Sequence, residues 1–361
     1  MNQHFVPRVY LKRFAVKRGD AYYVDVYDKK TNKIFNTNII NICAEKDLYT
    51  LAENSGVSQD QLAIEKLYAV GFEPMYDRIF NILTDDTIFD ITDLQRIEIL
   101  LGIFQLYMRN PRILRISIAH HTVLIKGLIQ AAKRRFEKGI TYLDEDFSFS
   151  EWDEKGIIDY FNTKVTNAFK EGHVTGIGEL GTFHEFSKLE VSKNKGPASF
   201  FTSDNPLVLE DLVEKQNSNP MQKTKEFVIA LSHEYSLKIY HDNEFNLNTI
   251  LRPIIPNGNT ASTNHTIFNQ ASRFIIGKKE AFEEFFKIAE LLDDTTFERK
   301  VHLIRQVVSR FSNSKRNDKM YQLMKHYLTL YDQNGGLTYE EEQDYYKQHI
   351  ALTADWKKAR I

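Results

Sequence analysis

Three short stretches of the sequence hold residue types that could carry out acid–base chemistry on an anionic substrate. His4-Phe5-Val6-Pro7-Arg8 lies close to the N-terminus, QLYMRNP occupies residues 105–111, and FFTSDNP occupies residues 200–206. An imidazole can transfer a proton near neutral pH, and a guanidinium can stabilise developing negative charge. Together these stretches predict a site that could hydrolyse a phosphate ester or an acyl compound.

One residue from each stretch is a candidate catalytic residue, namely His4, Arg109 and Asp204. His4 would move the proton, Asp204 would orient the imidazole, and Arg109 would stabilise negative charge. The cofactor is unknown from the sequence, and a divalent metal held through the oxygens of Asp204 is one possibility. The candidate substrate-binding residues are Arg8, Gln105, Ser203 and Asn205. Gln105 lies four positions before Arg109, so the two side chains share one helix face.

The same residues also have an interpretation without chemistry. His4 would be a solvated terminal side chain, and Arg109 would cap the carbonyl end of its helix. Asp204 and Asn205 would hydrogen-bond their own backbone in a turn, and Glu65 would be a surface partner of Lys66 or Arg78. Under this second hypothesis the chain is a non-catalytic ligand- or protein-binding module in which the polar residues form a structural clasp.

The hydrophobic pattern predicts the elements that must position these residues. Pro7 can open a short helix that places Tyr10, Leu11 and Phe14 on one face. Two alternating runs around KKTNK predict a β-hairpin, and later segments alternate between helical and strand patterns.

The fold class is therefore α+β. We expect a first domain over residues 1–290, with a mainly helical body at 59–172 and a small antiparallel sheet at 184–277. Residues 295–361 are expected to form a helical C-terminal extension, which could bind a partner protein or a second copy of the chain.

Composition excludes several classes of protein. The chain has 361 residues, 42% of them hydrophobic and 27% charged, with a formal net charge of -2, which is ordinary for a soluble globular protein. Cys43 is the only cysteine, so an internal disulfide is impossible and a cysteine-based zinc site is excluded. No secretory signal and no membrane-spanning run is visible. We expect a cytoplasmic protein that does not insert into a membrane.

Two other motifs have weaker interpretations. GIGELG at residues 176–181 is formally a dinucleotide-binding fingerprint, but no buried strand precedes it, and a flexible link is the expected structure. The stretch from Arg112 to Arg135 is basic and contains no Asp or Glu. Such a surface predicts a possible contact with nucleic acid, while a solvated helix face is the alternative.

At three points the sequence resembles a family of bacterial proteins, the domain of unknown function 4238 family. The resemblance rests on HFVPRVYLKRF, on the Gln-x-x-x-Arg-x-Pro helix end and on FFTSDNPLVL, with a later NQASRFIIG segment, and it covers residues from about 4 to 280. It implies that these motifs belong to one domain, and it supplies no established chemistry. A nuclease or phosphodiesterase in a defence or toxin-like setting is the function we expect from the motifs and from the bacterial character of the family.

Overall fold

The computed structural model describes residues 2–53, 55, 58–196, 198–211, 225–241, 247–255, 257–293, 301, 304–305, 308, 319–338, 340–342, 344–345, 347–349 and 352. The chain divides into two compact units, Met1–Phe282 and Glu283–Ile361. All the candidate site residues belong to the first unit. The domain boundary expected between residues 290 and 295 stays a prediction.

Helices make up the larger part of the described structure. They are Arg8–Leu11 (α1), Ala63–Leu67 (α2), Glu73–Thr84 (α3), Asp93–Met108 (α4), Pro111–Arg134 (α5), Glu154–Phe183 (α6), Asn257–Gln270 (α7), Lys279–Asp293 (α8) and Lys319–Asn334 (α9). Short 3-10 turns lie at Lys12–Phe14 and Ile39–Asn41, and a π-helical turn at Tyr68–Phe72 joins α2 to α3.

The strands are mostly short and pair largely antiparallel. They are Asn2–His4 (β1), Val16–Arg18 (β2), Ala21–Asp28 (β3), Lys33–Asn38 (β4), Ala44–Lys46 (β5), Gly139–Tyr142 (β6), Glu145–Ser148 (β7), Ser187–Asn194 (β8), Thr202–Ser203 (β9), Leu207–Asp211 (β10), Lys225–Ala230 (β11), Tyr235–His241 (β12), Ile250–Leu251 (β13), Ile254–Ile255 (β14) and Phe274–Gly277 (β15).

The α+β prediction is confirmed, and the sheet arrangement is richer than expected. One sheet has the order β10-β11-β12-β8-β13, with β14 also pairing β8; both β13 and β14 run parallel to β8. A second sheet has the order β2-β3-β15-β9, with β4 pairing β3. The predicted N-terminal hairpin therefore joins a strand that follows it by more than two hundred residues, a pairing that local patterns do not reveal.

Side-chain caps set the ends of the helices near the site. Thr92 and Gln95 form a capping box at the start of α4, each side chain bonding the backbone of the other. Asn110 caps α5 by accepting a hydrogen bond from the backbone N–H of Arg112, and Pro111 follows at the first helical position. The chain therefore turns sharply between α4 and α5 immediately after Arg109.

The expectation of a flexible link at residues 176–181 is wrong, because these residues lie inside the long helix α6. A Cβ added at Gly176 would lie 2.5 Å from Cε of Met108, and one at Gly181 would lie 3.0 Å from Cδ2 of Leu101. The two glycines therefore let α6 approach α4 closely, and they have a packing role.

A β-hairpin that the sequence pattern did not predict lies between α5 and α6. Strands β6 and β7 pair antiparallel, and Ile140 and Phe147 from them join a buried cluster with residues of both helices. The loop between the strands places Leu143 and Asp144 at positive φ. Two-residue hairpin loops usually use Asn or Gly at such positions, so the sequence carries little signal for this turn.

The second unit has its own apolar cluster. Its buried members are Ile304, Leu323, Tyr327, Leu328 and Tyr345, and the Tyr327 hydroxyl donates a 2.6 Å hydrogen bond to Asp344. Across the described residues of both units, no helix combines the length and the apolar character that crossing a bilayer requires.

Candidate functional site

The guanidinium of Arg109 lies at the centre of a buried polar cluster in the first unit. Its side chain is 1% exposed. Nη2 donates a 2.5 Å hydrogen bond to the backbone carbonyl of His4, and Nη1 lies 3.4 Å from Oε1 of Glu73 and 3.5 Å from Oε1 of Gln105. The ring of Tyr68 lies 4.1 Å from the guanidinium carbon, in cation–π geometry. Arg109 therefore connects β1 with α3, α4 and the π-helical turn.

Aromatic and imidazole groups form the next layer around Arg109. The Tyr49 hydroxyl donates a 2.5 Å hydrogen bond to the Arg109 carbonyl, and the Tyr68 hydroxyl lies 2.5 Å from Nδ1 of His173. Burial, and secondarily the positive charge of Arg109, lower the pKa of His173 to about 3. His173 is therefore neutral at physiological pH and adds no second positive charge to the cluster.

Four buried polar atoms of this cluster have no hydrogen-bond partner within the described part of the chain. They are Nε2 of His4, Oε2 of Glu65, Nε of Arg109 and Nε2 of His173. Buried polar atoms in proteins are almost always paired, so several unpaired ones in one place require an explanation. Because the set contains donors and acceptors, it matches the hydrogen-bonding needs of a small polar ligand.

Burial changes the proton affinity of two of these groups. It lowers the pKa of His4 below the usual 6.5, with Arg8 acting in the same direction and a hydrogen bond to the Ile40 backbone opposing it. It raises the pKa of Glu65, while Arg109 opposes that shift. At neutral pH His4 is therefore an unprotonated base, and Glu65 keeps its proton to a higher pH than a solvated carboxyl does.

A cleft of about 420 Å³ borders the cluster. Glu73 lines the cleft and is also the ion-pair partner of Arg109. Ile40, whose backbone forms a hydrogen bond with the His4 ring, lines the cleft as well. Arg8 and Lys12, from the first helical turns, also line the cleft, and their side chains are exposed. The cleft thus brings exposed basic side chains close to Glu73, the partner of Arg109.

The structure places Asp204 in a separate arrangement. Its carboxylate accepts hydrogen bonds from the backbone N–H groups of Ser272 and Arg273, both 2.8 Å long, and of Phe274, 3.1 Å long. Burial raises the pKa of Asp204, although these three bonds oppose the shift. Among the described residues, no hydrogen bond joins this carboxylate to His4. The role predicted for Asp204, orienting the imidazole, therefore has no support from its contacts.

Ser203 and Asn205 complete a clasp around Asp204 rather than lining the cleft. The Ser203 hydroxyl donates to the Asn205 carbonyl and accepts from the Asn205 N–H. Asn110 donates from its amide nitrogen to the Asp204 carbonyl at 2.9 Å and to the Asn205 amide oxygen at 3.1 Å. We call residues 203–205, Asn110 and the backbone of residues 272–274 the clasp. Asn110 is the residue that links the clasp to Arg109, because it follows Arg109 in the chain.

Gln105 and Arg8 occupy different surroundings. Gln105 is buried, and its amide nitrogen donates to the Gly102 carbonyl while its oxygen faces Arg109, so it positions the guanidinium. Arg8 is exposed at the cleft and forms no hydrogen bond or ion pair within the described residues. Of the candidate substrate-binding residues, only Arg8 lines this cleft, and its guanidinium is unpaired there.

The expected metal at Asp204 also lacks support. Both oxygens of the carboxylate already accept backbone N–H groups, which leaves little capacity for a cation. Within the described ranges, no group of three or more His, Cys, Asp or Glu side chains is arranged so that it could hold a metal ion.

Three of the six basic residues from Arg112 to Arg135 have structural partners, and they lie near the ends of the stretch. Arg112 donates to the Gln270 carbonyl, Arg115 pairs with Glu45, and Arg135 pairs with Glu137. Lys126, Lys133 and Arg134 are exposed and form no ion pair within the described residues. A contact with nucleic acid through α5 stays a prediction.

Sequence reasoning missed several members of the Arg109 cluster. Tyr49, Tyr68, Glu73 and His173 lie in segments without a recognisable motif. The surface role suggested for Glu65 is wrong, because Lys66 pairs with Asp60 and Arg78 with Glu98. The one available signal was the placement of Glu65 and Glu73 eight residues apart, on the same side of a helical segment.

The fold and the site define an α+β protein in which an N-terminal strand closes over a buried arginine at the end of a mid-chain helix. The chain belongs to the family described as "Protein of unknown function (DUF4238)", whose model matches residues 2–281, and the resemblance seen in the motifs is thereby confirmed. No curated protein and no solved structure matches the chain.

Proposed function

We propose that the first unit is a hydrolase of phosphate esters whose site is the cluster around Arg109. The observation that carries this proposal is the set of unpaired buried atoms on His4, Glu65, Arg109 and His173 in the described structure. A base, a carboxyl with a raised pKa and a buried guanidinium are the groups that general acid–base attack on a phosphate ester needs.

The charges at the cleft favour an anionic substrate. Arg8 and Lys12 contribute two cations, and the Lys12 ammonium lies 5.1 Å from the centre of the Tyr22 ring. Two acids, Asp20 and Glu73, line the same cleft, and Glu73 is already paired with Arg109. A phosphate group in the cleft would meet the Arg8 guanidinium, and one that reached the buried cluster would meet the Arg109 Nε–H, which has no partner among the described residues; both groups suit phosphoryl oxygens.

The reaction would begin with attack of a water molecule on phosphorus. Nε2 of His4 takes one proton from the water as its oxygen bonds to phosphorus, and the bond from phosphorus to the leaving oxygen breaks. The leaving oxygen takes the proton of the Glu65 carboxyl. His4 then loses its extra proton to solvent and Glu65 regains one, so both groups return to their starting states.

A non-catalytic binding module is the second candidate. The observation that favours it is the clasp, because Ser203, Asp204 and Asn205 use their side chains to hold the backbone together. Under this alternative the Arg109 cluster binds phosphate or a phosphorylated ligand without turnover.

The test measures hydrolysis of p-nitrophenyl phosphate, of bis(p-nitrophenyl) phosphate and of a single-stranded DNA oligonucleotide by the full chain. Binding of inorganic phosphate is measured by calorimetry. His4→Gln should reduce hydrolysis by about 100-fold or more while phosphate still binds, because only the base is lost. Arg8→Ala should weaken phosphate binding. The matched controls are His265→Gln and Arg18→Ala, which alter exposed residues outside the cleft.

The outcomes separate the two candidates. Phosphate binding that depends on Arg8, without turnover of any substrate, would support the binding module. Neither binding nor hydrolysis would overturn both. Hydrolysis that survives His4→Gln unchanged would overturn the role assigned to His4.

A further inference from the structure

Helix α5 presents an apolar stripe on the side that faces away from the body of the first unit. Ile116, Val123, Leu124 and Leu128 are respectively 57%, 69%, 41% and 36% exposed. At 3.6 residues per turn Ile116 and Val123 lie opposite the side of the helix that carries the buried Leu114, Ile125 and Ile129. Leu124 and Leu128 lie on one flank, and the exposed His120 falls between them and Ile116. Gly127 lies within the stripe, and no atom is found within 4 Å of the position that a Cβ would take there. The stripe is therefore open and slightly recessed at its middle.

The stripe continues into a groove at the C-terminal end of the helix. Leu128 and Ala132 line this groove together with Ile140 and Phe147 of the β6–β7 hairpin, and its volume is about 600 Å³. The charged side chains of Arg135, Glu137, Lys138 and Asp146 line it as well. A groove of this size accepts one or two large apolar side chains. The helix therefore offers exposed apolar side chains beside a groove of mixed polar and apolar lining.

Positive charge runs beside the stripe. Arg115, Lys126 and Lys133 are spaced eleven and then seven residues apart, which places them in one row along the helix. Arg115 is paired with Glu45, while Lys126 and Lys133 make no ion pair with any described residue. Helix α5 itself contains no Asp or Glu. The face thus combines apolar contact area with a row of cations.

We propose that this α5 face is a docking site for an amphipathic helix of a partner protein that carries acidic residues along the edge of its apolar side. Apolar side chains of the partner would cover Ile116 and Val123 around Gly127, and its carboxylates would lie opposite Lys126 and Lys133. In recognition of this kind, burial of the apolar face contributes affinity, and the charges along its edge contribute specificity.

Two other occupants fit the face less well. A second copy of the chain would place one row of cations against another, because the helix has no acid to offer in return. Nucleic acid would use Lys126, Lys133 and Arg134, but phosphate contacts gain nothing from the open side chains of Val123 and Leu124. The combination of the two features selects an acidic amphipathic partner.

The experiment measures binding of the full chain to a synthetic helical peptide of about 20 residues, with Leu on one face and Glu along its edges. A peptide with Lys in place of each Glu and a double-stranded DNA oligonucleotide are measured in parallel. We expect binding of the acidic peptide alone. Val123→Asp and the double variant Lys126→Glu with Lys133→Glu should each weaken it by about tenfold or more.

Matched variants separate a specific surface from a general change of charge or stability. Val16→Asp places an acid on another exposed valine, and Lys155→Glu reverses another exposed lysine outside α5. Neither should change peptide binding. The proposal is overturned if the acidic peptide does not bind, or if Val123→Asp leaves its binding unchanged. It is also overturned if the chain binds DNA in preference to the peptide, or if Val123→Asp abolishes a dimer that wild-type chains form in solution.

Discussion

Nη2 of Arg109 donates a hydrogen bond to the backbone carbonyl of His4 at 2.5 Å, so the first strand of the chain is held by the end of a helix more than a hundred residues away. The His4 ring is held separately, through the Ile40 backbone, and its Nε2 stays free of protein partners in the described structure. His4 thus has two roles. Its backbone carbonyl holds β1 in place, and its side chain presents a ring nitrogen, unpartnered among the described residues, that can act as a base.

Replacing Arg109 should test how much its contacts with β1 and its other partners stabilise the fold. Arg109→Ala would leave the His4 carbonyl, Gln105 and the half-exposed Glu73 without a cation, so we expect a loss of about 3 kcal/mol in the free energy of unfolding. Urea denaturation measures this loss. Arg18→Ala, which removes an exposed arginine with one long hydrogen bond, should cost less than about 0.5 kcal/mol. Equal effects of the two substitutions would contradict the central position of Arg109.

Arg8 should control the proton affinity of His4. The positive charge of Arg8 is the second cause, after burial, of the lowered pKa of His4. Arg8→Ala should therefore raise that pKa toward 6.5, and the acidic limb of any pH–rate profile should move to higher pH. NMR titration of the His4 ring measures the shift without requiring activity. A pKa that stays the same or falls would show that the two groups are not coupled.

His173 should make the first unit sensitive to acid. Its pKa is about 3 in the folded protein, whereas a histidine in an unfolded chain titrates near 6.5. Between these values the unfolded chain binds one more proton, so the contribution of His173 to stability is complete above pH 6.5 and declines as the pH falls. The expected slope is about 1.4 kcal/mol per pH unit.

Comparison of slopes isolates this residue from the other histidines. The free energy of unfolding is measured in urea from pH 5 to pH 6.5 for the wild-type chain and for His173→Gln. The dependence of the free energy of unfolding on pH should be less steep in the variant by about 1.4 kcal/mol per pH unit, whatever its absolute stability. An unchanged slope would mean that His173 is protonated in the folded state.

The clasp should be structural and independent of the cluster. Asp204→Ala removes the acceptor for three backbone N–H groups, so we expect a loss of about 2 to 3 kcal/mol in the free energy of unfolding. Asp204→Asn, which keeps one oxygen acceptor, should lose less. Phosphate binding of the folded variants should match the wild type in calorimetry. A specific loss of phosphate binding with normal stability would return Asp204 to the site.

Gly176 and Gly178 of α6 should respond differently to replacement by alanine. Gly178 has open space where a Cβ would lie, so Gly178→Ala should stabilise the helix by about 0.5 to 1 kcal/mol. At Gly176 the added Cβ would meet Met108 at 2.5 Å, so Gly176→Ala should give no gain or a loss. Thermal denaturation compares the two variants. Destabilisation by Gly178→Ala would argue against a helix at this position.

The sequence revealed those parts of the molecule that depend on local chemistry. The short helix after Pro7 and the hairpin around KKTNK follow from turn residues and periodicity, and the structure has both. The sequence also placed Arg109 at the end of a helix, and in the structure α4 ends immediately before it. Its neighbours Tyr68 and His173 could not be found in this way, because they meet only after distant segments pack together.

The treatment of Asp204 shows a second limit. Ser, Asp and Asn before a proline indicate fixed polar groups at the end of a strand, and the structure does fix them. The pattern does not say whether those groups face a ligand or the backbone of another segment. Here the deciding partners are the N–H groups of residues 272–274, which carry no side-chain signature at all.

The pairing of β15 with β3 determines when the first unit can be completed during synthesis. Phe274 to Gly277 pair with Asp25 to Asp28, and the Asp204 carboxylate needs the backbone of residues 272–274. A ribosome must therefore release almost the whole unit before its N-terminal hairpin finds its neighbour. Until then the hairpin has one unpaired strand edge that chaperones could bind, and the order of assembly is set by the last strand to emerge.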